Sequence, residues 1–177
     1  MFFSIRDLEL KKVYFDVTFA SGEIDYLDRL RQIAPLETQG SVELLAHTLG
    51  EIRVRGHLKT LMEADCDRCL EPARVPVDTD YDLFYRPAVA STHAAEEVAL
   101  DPGEVEIAFY QGDGIDLTEV LREQIVLSMP MQRVCREDCR GICPICGQNR
   151  NLVDCACEIR RVDDRWAALK TLQTKGN

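Results

Sequence analysis

Residues 75–85, VPVDTDYDLFY, place Val75, Val77, Thr79, Tyr81, Leu83 and Tyr85 in one phase and polar or acidic neighbours largely in the other. A period of two marks a strand with one face in a core and one in water, the usual situation in an antiparallel sheet. Pro76 has no N–H to give to a neighbour, so it predicts an edge strand or a strand start. Upstream, Gly40 to Ala64 is also strand-like, with turns expected near Gly50 and Gly56. Ser21 to Pro35 reads as a polar connection with room for a short helix, and residues 1–20 as one or two loosely alternating strands.

Downstream, residues 87–103 have no clear period and read as a loop, followed by a short strand from Val105 to Tyr110. Asp116-Leu-Thr-Glu119 has the form of a capping box, and Leu117, Val120, Leu121, Gln124 and Ile125 then keep helical spacing until Pro130. Asp163 or Asp164 caps a last short helix whose Trp166, Leu169 and Leu172 form one apolar face, expected to dock back on the body. The expected fold is α+β. It is mainly an antiparallel β-sheet or a partly open barrel, with one main helix over 116–129. Residues 1–130 form the β-rich body and residues 131–177 a cysteine-rich tail.

The chain of 177 residues is 46% hydrophobic, enough to bury a core without help from a metal. Ser4, Arg6 and Asp7 interrupt the apolar N-terminus, and no stretch approaches the ~18 apolar residues of a membrane span. The expectation is a soluble cytoplasmic protein with no membrane association. The net charge of −10 is unevenly spread: residues 1–130 carry 12 Lys/Arg and 25 Asp/Glu, while residues 131–177 carry 9 and 6. An acidic body with a mildly basic tail occurs in nucleic-acid-associated proteins, but four thiolates around one divalent ion carry a formal charge of about −2 and would nearly cancel the tail's excess.

Eight cysteines fall into four pairs: Cys66 and Cys69, Cys135 and Cys139, Cys143 and Cys146, Cys155 and Cys157. In a reducing compartment C-x-x-C pairs point to thiolate metal ligands rather than disulfides. Gly147 after Cys146 permits the tight turn of a knuckle. Two thiolates of a knuckle need two more to close a tetrahedron, so eight cysteines make two closed four-thiolate zinc sites. Grouping Cys143, Cys146, Cys155 and Cys157 closes a short loop and is favoured by entropy, leaving Cys66, Cys69, Cys135 and Cys139 for the second site. The rival grouping joins Cys135, Cys139, Cys143 and Cys146 and leaves Cys66 and Cys69 to Cys155 and Cys157. Cys66 and Cys69 also read as half-buried free thiols.

All-thiolate sites leave no position for water or substrate, so they are expected to be structural. His47, His57 and His93 lack the H-x-E context of a zinc deaminase, and no P-loop, G-x-S-x-G or H-E-x-x-H occurs. His47 and His57, in predicted strands, read as packing or surface residues, and Glu96-Glu97 as part of a solvated loop. The chain is expected not to be an enzyme.

The segment Cys66-Asp-Arg-Cys69-Leu-Glu-Pro after a β-rich half, the helix Leu117–Met129, then CREDCRGICPICGQNRN, Cys155-Ala-Cys157 and DDRWAALK resemble the YceD family of large-ribosomal-RNA-subunit accumulation proteins. The likeness runs in order from residue 1 to about 172, and its specific parts are C-x-R-C-L and D-C-x-G-x-C-P-x-C-G-x-N-x-N. It implies a role in ribosome biogenesis or ribosomal RNA stability. Some relatives keep the earlier CxxC and lack the GxCPxCG segment, which implies two separable sites. Expected partners are a ribosomal protein or a precursor ribonucleoprotein. Direct RNA contact would run through Arg133, Arg136, Arg140, Arg150, Arg160 and Arg161, unless they pair with Glu137, Asp138 and Glu158. A body this acidic repels phosphate and favours a basic protein partner. The competing functional reading is a redox- or zinc-responsive regulator of protein interactions, in which oxidation of a CxxC pair ejects metal.

Overall fold

The structure, a computed structural model, describes residues 1–26, 29–88 and 107–157. In chain order the elements are β1 (Phe2–Ser4), α1 (Ile5–Leu10), β2 (Val13–Phe19), β3 (Arg31–Gln32), β4 (Leu36–Leu44) and β5 (Ile52–Asp65). They continue with β6 (Pro72–Pro87), β7 (Ile107–Tyr110), β8 (Gly114–Asp116) and α2 (Leu117–Ser128). One sheet has the order β2-β4-β5-β6-β7 and is not closed into a barrel. All its pairings are antiparallel except β6 with β7.

The long hairpin of β5 and β6 is the frame, in register from Ile52 opposite Tyr85 to Asp65 opposite Pro72. In β6 the alternation becomes burial: Ala73, Val77, Tyr81 and Tyr85 are buried, while Asp78, Asp80 and Asp82 face water. Pro76 lies where β6 has β5 on one side and no strand on the other among the described residues, since β7 covers only Phe84–Pro87. There its missing N–H need not serve a neighbouring strand. In β5 the even positions Ile52, Val54, Leu58, Thr60, Met62 and Ala64 are buried, and Cys66 continues that phase at 0% exposure.

Helix α2 closes the core from one side. Its buried residues Leu117, Val120, Leu121 and Ile125 fall at helical spacing. The Asp116 carboxylate accepts from the Thr118 N–H at 3.0 Å and from its hydroxyl at 2.7 Å, and so caps the helix. Burying each such large aliphatic side chain stabilises by roughly 1.5–3 kcal/mol. The short antiparallel pair β1–β8 brings the start of the chain to the start of this helix.

Four expectations are corrected. Residues 5–10 are helical rather than extended, because the Ser4 hydroxyl accepts from the Asp7 N–H at 3.2 Å and caps them. The connection from Ser21 to Pro35 contains the short strand β3 and, among the described residues, no helix. His47 sits in the turn between β4 and β5 with φ 63°, not in a strand. Gly56 is no turn either: it lies inside β5 directly opposite Gly40 of β4. A β-carbon at Gly56 would meet the Tyr81 hydroxyl at 2.8 Å, and one at Gly40 would meet the Phe15 ring at 2.7 Å. The glycines are there so that two aromatic rings can lie against bare backbone. The loop at 87–103 beyond Ala88, the first two residues of the Val105–Tyr110 strand, and the terminal helix with Trp166, Leu169 and Leu172 lie outside the described residues.

Candidate metal centres

At the end of the long hairpin, the turn between β5 and β6 carries Cys66 and Cys69. Its backbone is closed by the Cys66 N–H to the Glu71 carbonyl and the Leu70 N–H to the Cys66 carbonyl, both 2.9 Å. Leu70 sits at φ 64°, the left-handed backbone that this tight return requires. The turn then grips the segment after α2. The Asp67 N–H donates to the Arg133 carbonyl at 2.8 Å, and the Asp67 carboxylate accepts from the Arg133 N–H at 2.6 Å. The Arg68 carbonyl accepts from the Ile142 N–H at 2.9 Å, and its guanidinium donates to the Glu137 and Cys139 carbonyls at 3.2 and 3.3 Å.

These contacts set Cys135 and Cys139 against the hairpin cysteines. The sulfurs of Cys66 and Cys139 are 3.9 Å apart, and those of Cys69 and Cys135 3.6 Å. All four lie within 4.8 Å of one another. With Ala73 and Val134 they form a small apolar cluster separate from the main core. Cys143, Cys146, Cys155 and Cys157 form the second group under the same limit. Its frame is local: Cys143 N–H to the Gln148 carbonyl at 2.8 Å, Gly147 N–H to the Cys143 carbonyl at 2.9 Å, and a bridge between Ile142 and Asn149. Gly147 has φ 74°, the turn a knuckle needs. The structure therefore brings together the loop-closure grouping and not its rival.

Two asparagines join the groups. The Asn151 amide donates to the Cys139 sulfur at 3.4 Å, while its carbonyl accepts from the Arg140 N–H at 2.8 Å and the Arg136 guanidinium at 3.0 Å. The Asn149 carbonyl accepts from the Asn151 N–H and side-chain amide at 3.0 and 2.9 Å. Sequence reading placed both in a specific motif but gave them no task. A short polar residue at fixed spacing from cysteines is the signal for a donor to sulfur.

The thiols divide by environment. Burial pushes Cys66 up, but backbone N–H groups of Cys135, Arg68 and Cys69 outweigh it and bring it to about 6. The Asn151 amide is the main reason that Cys139 is lowered. Cys69 is pushed up to about 12 by burial and then by the neighbouring sulfurs. In the second group, N–H groups of Cys146 and Ile145 bring Cys143 to about 6, whereas the Cys146 sulfur first of all pushes Cys157 up to about 12. Each group thus favours some thiolates strongly and resists ionising all its thiols side by side, a conflict that a cation among the sulfurs resolves. Each group can hold a metal ion.

Of the four described arginines of the tail, all but Arg150 have a carboxylate partner. Arg133 pairs with Asp67 at 3.2 Å, Arg136 with Asp138 at 3.3 Å and Arg140 with Asp154 at 2.6 Å. Arg160, Arg161 and Glu158 lie outside the described residues. His57 stands between Asp80 at 2.9 Å and Asp78 at 3.2 Å on the outer face of the sheet, a surface ion-pair position away from the cysteines. No described helix is long and apolar enough to cross a membrane.

A mainly antiparallel sheet whose central hairpin ends in a four-cysteine group, with a second such group hung beside it, defines a cysteine-rich protein with two candidate metal centres. The chain belongs to the YceD family, whose model, described as large ribosomal RNA subunit accumulation protein YceD, matches residues 54–173. It is 32% identical over 123 residues to the uncharacterized protein Rv2926c of Mycobacterium tuberculosis, covering 67% of this chain and 54% of that protein. It is 29% identical over 136 residues to the chloroplastic large ribosomal RNA subunit accumulation protein YCED homolog 1 of Zea mays, covering 64% of this chain and 46% of the maize protein. The chain thus spans about half the length of these two relatives. To the uncharacterized protein YlbN of Bacillus subtilis it is 24% identical over 174 residues, covering 96% of this chain and 93% of YlbN. No solved structure matches.

Proposed function

We propose that the chain is a non-enzymatic factor that supports accumulation of large-subunit ribosomal RNA in the cytoplasm, with zinc in both cysteine groups as a structural ion. The observation that carries this reading is the pair of four-cysteine groups, each with its sulfurs within 4.8 Å of one another, in a chain of the YceD family. A tetrahedron with zinc–sulfur bonds near 2.3 Å has edges of about 3.8 Å. In the first group the Cys66–Cys139 and Cys69–Cys135 sulfur separations of 3.9 and 3.6 Å are close to that figure. Four cysteine ligands leave no coordination position for water or substrate, which supports a structural over a catalytic role.

The partner that fits best is a basic ribosomal protein or a precursor ribonucleoprotein met through protein. The net charge of −10 opposes direct contact with phosphate, and Arg133, Arg136 and Arg140 already have carboxylate partners. Depletion of the protein is expected to lower mature large-subunit RNA relative to small-subunit RNA. An unchanged ratio sinks the ribosomal reading.

One observation favours a second reading. Cys146 is exposed and the second group is less buried than the first. A redox- or zinc-responsive switch there predicts quick, reversible zinc loss in mild peroxide, and retention of both ions under that treatment rules it out.

A further inference from the structure

Away from the cysteines, a cleft of about 380 Å³ opens between the end of β6, strand β7 and the first half of α2. Tyr85, Phe109 and Tyr110 form the sheet wall and Glu119 and Glu123 the helix wall, and no lysine or arginine lines it. The glutamates are four residues apart on α2, so their charges face the same way and repel. Among the described residues neither has an ion pair or hydrogen bond. Asp116, also at the cleft, is already committed to the helix cap and to the N-terminal ammonium of Met1 at 3.2 Å.

A second observation points the same way. Tyr85 is only 7% exposed, yet its hydroxyl has no hydrogen-bond partner among the described residues. No fully buried side-chain oxygen or nitrogen there lacks a partner, so this hydroxyl must reach the open space of the cleft. Tyr110 differs: its hydroxyl donates to the Gly50 carbonyl at 2.8 Å. Phe109 is 62% exposed and offers a bare ring beside the carboxylates.

Two carboxylates, an aromatic face and a phenol oxygen are the chemistry that holds an ammonium or guanidinium group. A phosphate would be repelled. Residues 89–106, which join β6 to β7, hold five acidic side chains, His93 and no lysine or arginine, so that stretch supplies neither an ammonium nor a guanidinium group. We infer that the cleft seats a lysine or arginine side chain from a basic segment of a partner protein. This rests on the reading that the chain works by docking such a partner, and it names the place.

The test uses the full chain and a short fluorescent peptide of alternating lysine and valine, followed by anisotropy. The Glu119→Gln/Glu123→Gln double variant is expected to weaken binding about tenfold, and Tyr85→Phe about threefold, with unchanged melting temperatures. An Asp78→Asn/Asp80→Asn variant on the outer sheet face serves as the control for diffuse attraction and is expected to change binding little. No peptide binding, equal losses in both double variants, or an RNA oligonucleotide that displaces the peptide would each overturn the inference. If depletion lowers large-subunit RNA and the Glu119→Gln/Glu123→Gln variant restores it fully, the cleft inference fails alone. If depletion changes nothing while the peptide still binds at the cleft, the ribosomal reading fails alone.

Discussion

The first cysteine group is anchored where two long strands turn, whereas the second hangs on a loop that closes on itself. Cys69 and Cys135 are 66 positions apart, while Cys146 and Cys155 are nine apart. Closing the longer loop costs about 2 kcal/mol more in chain entropy. What offsets this is the sheet: Cys66 is fixed by the strand phase of β5, and Asp67 and Arg68 clamp the returning segment. The local group needs no such support, but it gains little burial. A costly site can thus be rigid and a cheap one labile, and exchange and oxidation should tell them apart.

The sharpest break is Cys66→Ser. It is expected to remove the first ion, free the segment from Arg133 to Cys139 and cost on the order of several kcal/mol, with the second ion retained. Native mass spectrometry and thermal melting read this directly, and loss of both ions would show one cooperative unit instead of two. Cys157→Ser is expected to remove only the second ion and to shift the melting of the sheet by less than about 2 °C. A larger shift would mean that the knuckle supports the body.

Asn151→Ala addresses the link. Loss of its bonds to the Cys139 sulfur and the Arg140 N–H is expected to cost about 1–2 kcal/mol and to speed metal loss from both groups in a chelator challenge. Faster loss from one group alone would separate them. The smallest effect is expected for Asp67→Asn. The Arg133 N–H holds the Asp67 carboxyl below its ordinary value, so its stabilisation is present at neutral pH and fades as pH falls through that lowered value. The variant should be less stable than its parent near pH 7, and the gap should close once the pH has fallen below that lowered value. A gap that persists in acid would assign the effect to shape rather than charge.

Much of the fold could be read from the sequence because its signals are local. The phase of β6 and the capped helix at Asp116 follow from neighbours within a few residues. The grouping of cysteines was legible for a similar reason, as a short loop closes most easily. What escaped reading depended on partners far along the chain. Gly56 looked like a turn because the ring that needs its bare backbone, Tyr81, sits on another strand. The Ser4 cap was present in sequence but was overridden by the loose alternation around it. Asn149 and Asn151 stood inside a motif, yet a donor to Cys139 becomes visible only once the chain has folded back. The cleft at Tyr85 is less legible still, since Tyr85 is separated in sequence from Phe109, Tyr110 and the α2 glutamates by the stretch 89–106.

The continuity from Ile52 to Cys66 along one side of β5 has a further consequence. The sulfur's position is an arithmetical result, counted in twos from the core, so it is protected by parity as well as by the contacts of its own turn. Substituting one aliphatic residue for another in that run leaves the count intact. Deleting a single residue between Met62 and Cys66 would turn the thiol to the opposite side of the ribbon and present an acid in its place, even though every ligand were still written in the chain. Drift in such a lineage should therefore be free in composition and nearly frozen in length across this stretch.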